Sequence, residues 1–182
     1  MRRLPALVSA RTSASMALAA IVGLGAIAPS AQGPSTAPSL LPPGEAGTPL
    51  YVEGRILGLG RGGAALYVYQ TDASGIYSNP ERDDNTKPRL KARFTTRPDG
   101  WFAFRTIMPG QYPRSGPPAH IHLEVTPPGQ AMEQFEVVFE GDSRLTDQIR
   151  ADAKAGKFYR LCTPQTGPDG SKTCTGLTFR VE

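Results

Sequence analysis

Pro118-Ala119-His120-Ile121-His122-Leu123-Glu124-Val125 is the stretch from which the fold of this chain can be read. Apolar and polar residues alternate through it, which is typical of a β-strand with two different faces. Because successive side chains of a strand point to opposite faces, His120 and His122 share one face, while Ile121 and Leu123 share the other. These are the only 2 histidines in the 182 residues. The stretch therefore predicts a strand that brings two imidazoles about 7 Å apart on one face.

The segments on both sides of this strand predict an all-β protein. The chain contains 20 glycines and 18 prolines, and turn signals recur between short apolar runs. The turn at residues 97–100 predicts a hairpin between the strands that flank it. Residues 143–155 form the one predicted helix, with apolar residues at every fourth position. The pattern favours a β-sandwich with one short helix, and the other predicted strands cover residues 50–59, 65–70, 90–95, 101–107, 134–140, 157–163 and 173–181.

The first 49 residues predict an export signal followed by a linker. Residues 1–31 carry three arginines and no acid, then a short apolar core and small residues suited to cleavage. The apolar core is short for a membrane span, but an uncleaved membrane anchor and twin-arginine export both stay open. Residues 32–49 contain five prolines and should form an extended linker that buries no apolar surface. We therefore place the folded domain at residues 50–182.

The charge of the chain gives no indication of a nucleic-acid partner. Removing the three arginines of residues 1–31 from the 20 basic residues leaves 17, against 16 acidic residues. No basic patch with interleaved aromatic residues occurs, so nucleic-acid binding is not expected.

The only two cysteines, Cys162 and Cys174, lie on either side of a strong turn signal at residues 167–170. A hairpin at this turn would place them opposite each other, and an exported protein meets an oxidising compartment. The sequence therefore predicts a C-terminal hairpin that a disulfide holds together.

His120 and His122 are candidate metal ligands, although two histidines are fewer ligands than a protein metal site usually has. The alternative is that both are polar residues of an exposed strand face. No cysteine is near, but a phenolate is a hard oxygen donor whose proton a trivalent cation can displace. Two of the six tyrosines, Tyr77 and Tyr112, lie in loops next to glycine and proline, where site residues are often displayed. A set of two histidines and two tyrosines would favour ferric iron.

Four segments, taken in this order, resemble the intradiol ring-cleavage dioxygenases. They are Gly75-Ile76-Tyr77-Ser78, residues 99–113 with Tyr112-Pro113 at their end, Pro118-Ala119-His120-Ile121-His122-Leu123, and Phe139-Glu140-Gly141-Asp142. The resemblance implies a β-sandwich with one non-haem ferric ion bound by Tyr77, Tyr112, His120 and His122. It also implies a catechol and O₂ as reactants and a muconate-type diacid as product. Tyr112 is the tyrosinate that the bound catechol would displace.

The chain departs from that family at two positions. Pro117 stands where the resembling enzymes usually have an arginine that stabilises the negative charge of the substrate, and Glu136 stands where they have glutamine. Arg114, three residues before Pro117, is the candidate to supply the positive charge.

These observations lead to one expected function and two alternatives. We expect an exported iron-dependent dioxygenase acting on a small catecholic molecule, with Tyr112 and Arg114 as catalytic residues and a homo-oligomer as one possible state. The first alternative is a non-catalytic metal- or ligand-binding module of the cell envelope. The second is a zinc hydrolase.

Overall fold

Two β-sheets and one short helix make up residues 36–182, which are the residues that the computed structural model describes. Strands β4-β1-β9-β8 form one sheet and β3-β2-β5-β6-β7 form the other. The predicted β-sandwich with a single helix is thus confirmed. The elements are β1 Pro49–Leu57, β2 Ala65–Gln70, β3 Leu90–Thr95, β4 Trp101–Ile107, β5 His120–Thr126, β6 Glu133–Phe139, α1 Asp147–Lys154, β7 Tyr159–Cys162, β8 Gln165–Thr166 and β9 Lys172–Arg180.

The hydrophobic core between the sheets fixes the orientation of β5. Ile121 and Leu123 are fully buried in this core, together with Phe104 and Phe179 of the facing sheet. Burying each such side chain stabilises the fold by about 1.5–3 kcal/mol. A shift of the pairing register of β5 by one residue would expose all of its core residues. This packing therefore holds His120 and His122 on the outer face.

The turn at residues 97–100 does not close a hairpin, so that prediction is wrong. β3 pairs with β2 in the five-stranded sheet, whereas β4 pairs with β1 in the four-stranded sheet. Phe94 and Phe104 instead meet across the core, with ring centroids 6.3 Å apart. A turn signal reports a reversal of the chain, and the chain can reverse within one sheet or from one sheet to the next.

Cys162 and Cys174 form the predicted disulfide. A hairpin forms at the predicted turn, but the expectation that it pairs the two cysteines is wrong, because Cys162 ends β7 of the five-stranded sheet and Cys174 lies in β9 of the other. The disulfide therefore joins the two sheets through the core, where both cysteines are buried. The hairpin at this turn is the short pair of β8 and β9, in which Thr166 lies opposite Lys172.

The described part of the predicted linker, residues 36–49, packs against both sheets. Leu40 is 2 % exposed and belongs to the core. Its N–H donates to the carbonyl of Arg105 in β4 at 2.9 Å, and its carbonyl accepts from the N–H of Lys91 in β3 at 3.2 Å. The expectation that this segment buries no apolar surface is therefore wrong, because its backbone binds the edges of two strands. The predicted export signal and residues 32–35 lie outside the described residues.

Helix α1 is shorter than predicted. The hydroxyl of Thr146 caps its N-terminus by accepting from the N–H of Ile149 at 3.2 Å. Gly156 follows its C-terminus with a φ of 70°, a conformation that glycine adopts without strain. Within residues 36–182, no helix is long and apolar enough to cross a membrane.

Candidate metal centre

Four side chains from three segments meet at the start of β5. Tyr77 comes from the loop between β2 and β3, Tyr112 from the loop between β4 and β5, and His120 and His122 from β5. The Oη of Tyr77 lies 2.8 Å from the Oη of Tyr112 and 2.9 Å from the Nε2 of His122. The Nε2 of His120 lies 3.0 Å from that of His122 and 3.4 Å from the Oη of Tyr112. The structure thus brings together all four residues predicted as metal ligands.

These distances suit one coordination shell. Nitrogen and oxygen donors bind transition metals at about 2.0–2.2 Å, so the donors around one ion lie roughly 3 Å apart. We call Tyr77, Tyr112, His120 and His122 the donor quartet.

The two loops bury three of the four quartet residues, although both histidines lie on the outer face of the sheet. Tyr77 is 2 %, His120 4 % and His122 8 % exposed. The loops contact each other backbone to backbone: the N–H of Gly110 donates to the carbonyl of Asp72 at 2.8 Å. A Cβ added at Gly75 would lie only 1.9 Å from the carbonyl oxygen of Gln111. Glycine at position 75 therefore lets the loops approach closely enough for the two tyrosines to meet.

The Nε2 atoms of both histidines face the quartet. The Nδ1 of His120 lies 2.7 Å from the carbonyl oxygen of Pro118. A carbonyl only accepts, so this Nδ1 carries the proton and its Nε2 is free to bind. Burial, with a smaller effect of His120, lowers the pKa of His122 to about 3, so this ring is neutral at pH 7. Two neutral imidazoles and two phenol oxygens that face one point fit a metal cation.

The tyrosines need a cation to ionise. Burial, followed by the hydrogen bond with Tyr112, raises the pKa of Tyr77 far above its ordinary value. Burial also raises the pKa of Tyr112, although its hydrogen bond with Tyr77 lowers it. Both phenols are therefore protonated in the metal-free protein at neutral pH, and a bound multivalent cation would have to displace these protons.

Glu136 is a further polar residue of the site. Its Oε1 lies 3.4 Å from the Nδ1 of His122 and 3.9 Å from the Nε2 of His120. His120, His122 and Glu136 by themselves have the residue types and spacing that could hold a metal ion. Burial raises the pKa of Glu136, while His120 lowers it. The sequence identified Glu136 only as a departure from a resembling family, because the register that places it beside His122 cannot be read from one strand alone.

Sequence reasoning missed Tyr69. It lies opposite His122 in the pairing of β2 with β5, and the two rings stack with centroids 4.4 Å apart and planes 15° apart. This stack covers one face of the His122 ring. The alternation of β2 predicts which face of the sheet Tyr69 lies on. That it contacts His122 follows only from the register of β2 against β5.

Arg114 does not join the quartet but lies beside it. It is exposed and lines an open cavity of about 790 Å³, which Tyr77 and Tyr112 also line. Arg114 is the only cation among the described residues that line this cavity. Pro117 is exposed in the same loop.

Comparisons with known proteins relate this chain to dioxygenases. A family model described as dioxygenase matches residues 24–182. Hydroxyquinol 1,2-dioxygenase of Nocardioides simplex is 32% identical over 121 residues, which cover 56% of this chain and 41% of that protein. Catechol 1,2-dioxygenase of Candida albicans is 32% identical over 84 residues, or 37% of this chain and 28% of that protein. The chain thus spans less than half the length of these two relatives.

Solved structures show the same fold. The dioxygenase domain of a dioxygenase carbohydrate-binding protein fusion from Streptomyces sp. SirexAA-E is 27% identical, with a TM-score of 0.59, over 82% of this chain and 91% of that one. The 3-chlorocatechol 1,2-dioxygenase of Rhodococcus opacus 1CP is 21% identical, with a TM-score of 0.55, over 84% and 71%. The chain belongs to the intradiol ring-cleavage dioxygenase family.

Proposed function

We propose that this protein cleaves the ring of a catecholic compound with O₂ to a muconate-type diacid, with a ferric ion held by the donor quartet. The observation that carries the proposal is the meeting of four donor atoms at separations of 2.8 to 3.4 Å. Relatives named catechol and hydroxyquinol 1,2-dioxygenase support the reaction class.

The donor types favour iron in its ferric state. Two phenolates are hard anionic ligands that stabilise a trivalent ion, and imidazole binds iron as well as zinc or copper. The only two cysteines are joined in the disulfide, so neither offers a thiolate. When bound, a ferric ion would act as a Lewis acid that withdraws electron density from a catecholate and makes its ring reactive toward O₂.

The two tyrosines would have different roles. Tyr77 is 2 % exposed and its Oη lies 2.9 Å from the Nε2 of His122, so it would remain a ligand. Tyr112 is only half-buried and lines the cavity, so it can move toward the cavity when a substrate arrives. As it leaves, its Oη would accept a proton from the catechol and act as a general base. The Tyr112 side chain is therefore the proposed catalytic residue within the quartet.

The cavity beside the quartet would receive the substrate. Its volume of about 790 Å³ exceeds what one aromatic ring requires, so a substituted catechol would fit. Arg114 lies two residues from Tyr112, and no side-chain partner occupies its guanidinium within residues 36–182. We assign it to an anionic group of the substrate, in place of the arginine that Pro117 replaces.

A second candidate function is metal or ligand binding without catalysis. The observation that favours it is the Glu136 carboxyl group, whose Oε1 lies 3.4 Å from the Nδ1 of His122. Its negative charge, when ionised, would repel a dianionic substrate.

Oxygen uptake separates the two functions. The iron-loaded protein would be mixed with a panel of catechols that carry neutral or carboxylated substituents, and the metal-free protein would serve as control. Ring cleavage predicts uptake of one O₂ per diacid formed. Binding of the catechols without oxygen uptake would favour the second function.

We also propose that the protein is exported. The arginines and apolar core of residues 1–31 support this, as does a disulfide, which persists in oxidising compartments. Cell fractionation followed by sequencing of the mature N-terminus would test it, and an intact Met1 in the cytosolic fraction would contradict it.

A further inference from the structure

We propose that Asp142 is a positioning residue that fixes Tyr112 and His120 relative to each other. This inference rests on the donor quartet as the proposed metal site. Asp142 lies in the turn between β6 and α1 and contacts none of the four donor atoms. Its carboxylate is nevertheless hydrogen-bonded to the two residues that directly precede Tyr112 and His120.

The carboxylate accepts three hydrogen bonds. The Nε2 of Gln111 donates to Oδ1 at 2.6 Å, and the backbone N–H of Arg144 donates to the same oxygen at 2.8 Å. The backbone N–H of Ala119 donates to Oδ2 at 2.9 Å. One side chain thus ties together both ends of the segment 111–119, which we call the Tyr112 loop.

The Tyr112 loop has few other anchors. Within residues 36–182, no backbone–backbone hydrogen bond joins residues 111–119 to the rest of the protein. Tyr112 also contacts the rest of the quartet through its hydroxyl, and the Pro118 carbonyl lies 2.7 Å from the Nδ1 of His120. Apart from these contacts, the loop has one hydrogen bond from Gln111 to the Ser143 hydroxyl at 3.1 Å and one from Arg144 to the carbonyl of Arg114 at 3.5 Å. Both partners, Ser143 and Arg144, follow Asp142 directly in its own turn. The position of the loop therefore depends on this turn, and chiefly on the Asp142 carboxylate.

The turn itself is anchored to β6. The N–H of Asp142 donates to the carbonyl of Phe139, the last residue of β6, at 3.3 Å. The N–H of Leu145 donates to the carbonyl of Asp142 at 3.1 Å. Because β6 pairs with β5, the hydrogen bonds of Asp142 connect the Tyr112 loop to the strand that carries both histidines.

The chemistry of the contacts requires a carboxylate. Each oxygen of Asp142 faces a donor, Gln111 and Arg144 on one side and Ala119 on the other. An asparagine offers one acceptor oxygen and one donor NH₂. Its NH₂ would therefore face either the N–H of Ala119 or the donors of Gln111 and Arg144, and could accept from none of them. Asp142→Asn should therefore break either the link to Gln111 or the link to Ala119 with little change in side-chain volume.

The test compares Asp142→Asn and Gln111→Ala with the wild type. Asp99→Asn is a matched control, because the Oδ1 of Asp99 also accepts from a backbone N–H, that of Trp101 at 3.1 Å. Asp99 lies in the turn after β3. The last residue of β3, Thr95, lies opposite Ala65 of β2, and Ala65 lies opposite Thr126 at the end of β5 that is far from the histidines. Three quantities are measured: ferric-ion affinity by chelator competition, the tyrosinate-to-iron absorption band per bound iron, and amide exchange of residues 111–120 in the metal-free protein.

We expect Asp142→Asn to lower iron affinity by roughly 10–100-fold, as removal of the partners of metal ligands does. The absorption per iron should fall and shift, because Tyr112 loses its position while Tyr77 keeps its own. Exchange of residues 111–120 should quicken by roughly tenfold, since a hydrogen bond to a charged acceptor is lost. Gln111→Ala should change the spectrum in the same direction, and its effect should not add fully to that of Asp142→Asn. Asp99→Asn should leave the spectrum unchanged.

The inference fails if Asp142→Asn lowers the melting temperature but leaves the absorption per iron and the exchange of residues 111–120 at wild-type values. If Asp142→Asn does not fold, Gln111→Ala decides by the same two measurements. A wild-type protein that binds iron without a tyrosinate band would instead contradict the proposed function, and the exchange data would still test the role of Asp142 in the loop.

Discussion

Glu136 lies directly opposite His122 in the pairing of β5 with β6, and its Oε1 is 3.4 Å from the Nδ1 of that histidine. Both residues are buried. A carboxylate at the outer nitrogen of an imidazole fixes the ring orientation and makes the other nitrogen a stronger donor. The same negative charge opposes an anionic substrate, so Glu136 would favour the ferric ion at the expense of the catecholate.

Glu136→Gln should therefore have two opposite effects. We expect roughly tenfold weaker binding of the ferric ion. We also expect a roughly tenfold lower dissociation constant for catechol, which corresponds to about 1.4 kcal/mol of repulsion removed. Because burial raises the pKa of Glu136, the difference in catechol binding should grow as the pH rises and the carboxyl group ionises.

Chelator competition and anaerobic spectral titration with catechol would measure these effects. Glu133→Gln removes the same charge from β6 at the far end of its pairing with β5, opposite Val125, and serves as control. Equal catechol affinity of Glu136→Gln and wild type at every pH would show that the carboxylate does not act on the substrate.

Tyr112→Phe should mainly lower the catalytic rate, whereas Tyr77→Phe should mainly lower the iron content. Tyr112→Phe should keep most of its iron, lose part of the tyrosinate-to-iron absorption, and lower kcat by roughly 10²–10⁴-fold through loss of the general base. Tyr77→Phe should lose most of its iron, because the buried ligand beside His122 is gone. Tyr67→Phe is the control, since Tyr67 packs against Tyr69 and Arg93 outside the quartet. Identical iron content and kcat in the first two variants would contradict the division of roles.

The stability of the metal-free protein should depend on pH through His122. Burial lowers its folded-state pKa from 6.5 to about 3. Between these values the unfolded state binds more protons, so stability is present above pH 6.5 and is lost as the pH falls toward 3. One such group contributes a slope of at most about 1.4 kcal/mol per pH unit. The raised pKa of Glu136 acts in the opposite sense above its ordinary value of 4.5.

The difference between wild type and His122→Asn isolates this contribution. Urea unfolding in the presence of a chelator, at several values between pH 4 and 7, would measure it. The variant should show a flatter dependence on pH than the wild type, and equal slopes would contradict the assignment of the buried neutral ring.

Arg114→Gln should affect substrates according to their charge. For a catechol with a carboxylate substituent we expect kcat/KM to fall roughly tenfold, mainly through KM, because a charge-assisted hydrogen bond is lost. Unsubstituted catechol should change less. Arg61→Gln removes an exposed arginine from the connection between β1 and β2 and is the control. Equal losses for both substrates would place Arg114 on the catechol oxygens instead of on the substituent.

Local patterns in the sequence predicted the strands, and the resemblance to the intradiol dioxygenases implied the four residues of the quartet. Alternation places His120 and His122 on one face of β5, and Gly-Pro-rich loops hold Tyr77 and Tyr112. The strand predictions succeeded because alternation depends on a few neighbouring residues and on strand geometry.

Pairing between distant segments could not be predicted. The turn at residues 97–100 and the disulfide of Cys162 and Cys174 both cross between sheets, which a turn signal does not distinguish from a hairpin. The contact of Glu136 with His122 depends on the register of β6 against β5, and the burial of Leu40 depends on two strand edges far along the chain. Such relationships arise from the packed core.

The optical spectrum of the iron-loaded protein, recorded with its metal content before and after anaerobic addition of catechol, tests most directly whether Tyr77, Tyr112, His120 and His122 hold a ferric ion. One iron per chain, a visible tyrosinate-to-iron band and a shift of that band on catechol binding are the predicted result. Stoichiometric zinc in the protein as isolated, or a colourless protein with one ferric ion bound, would contradict it.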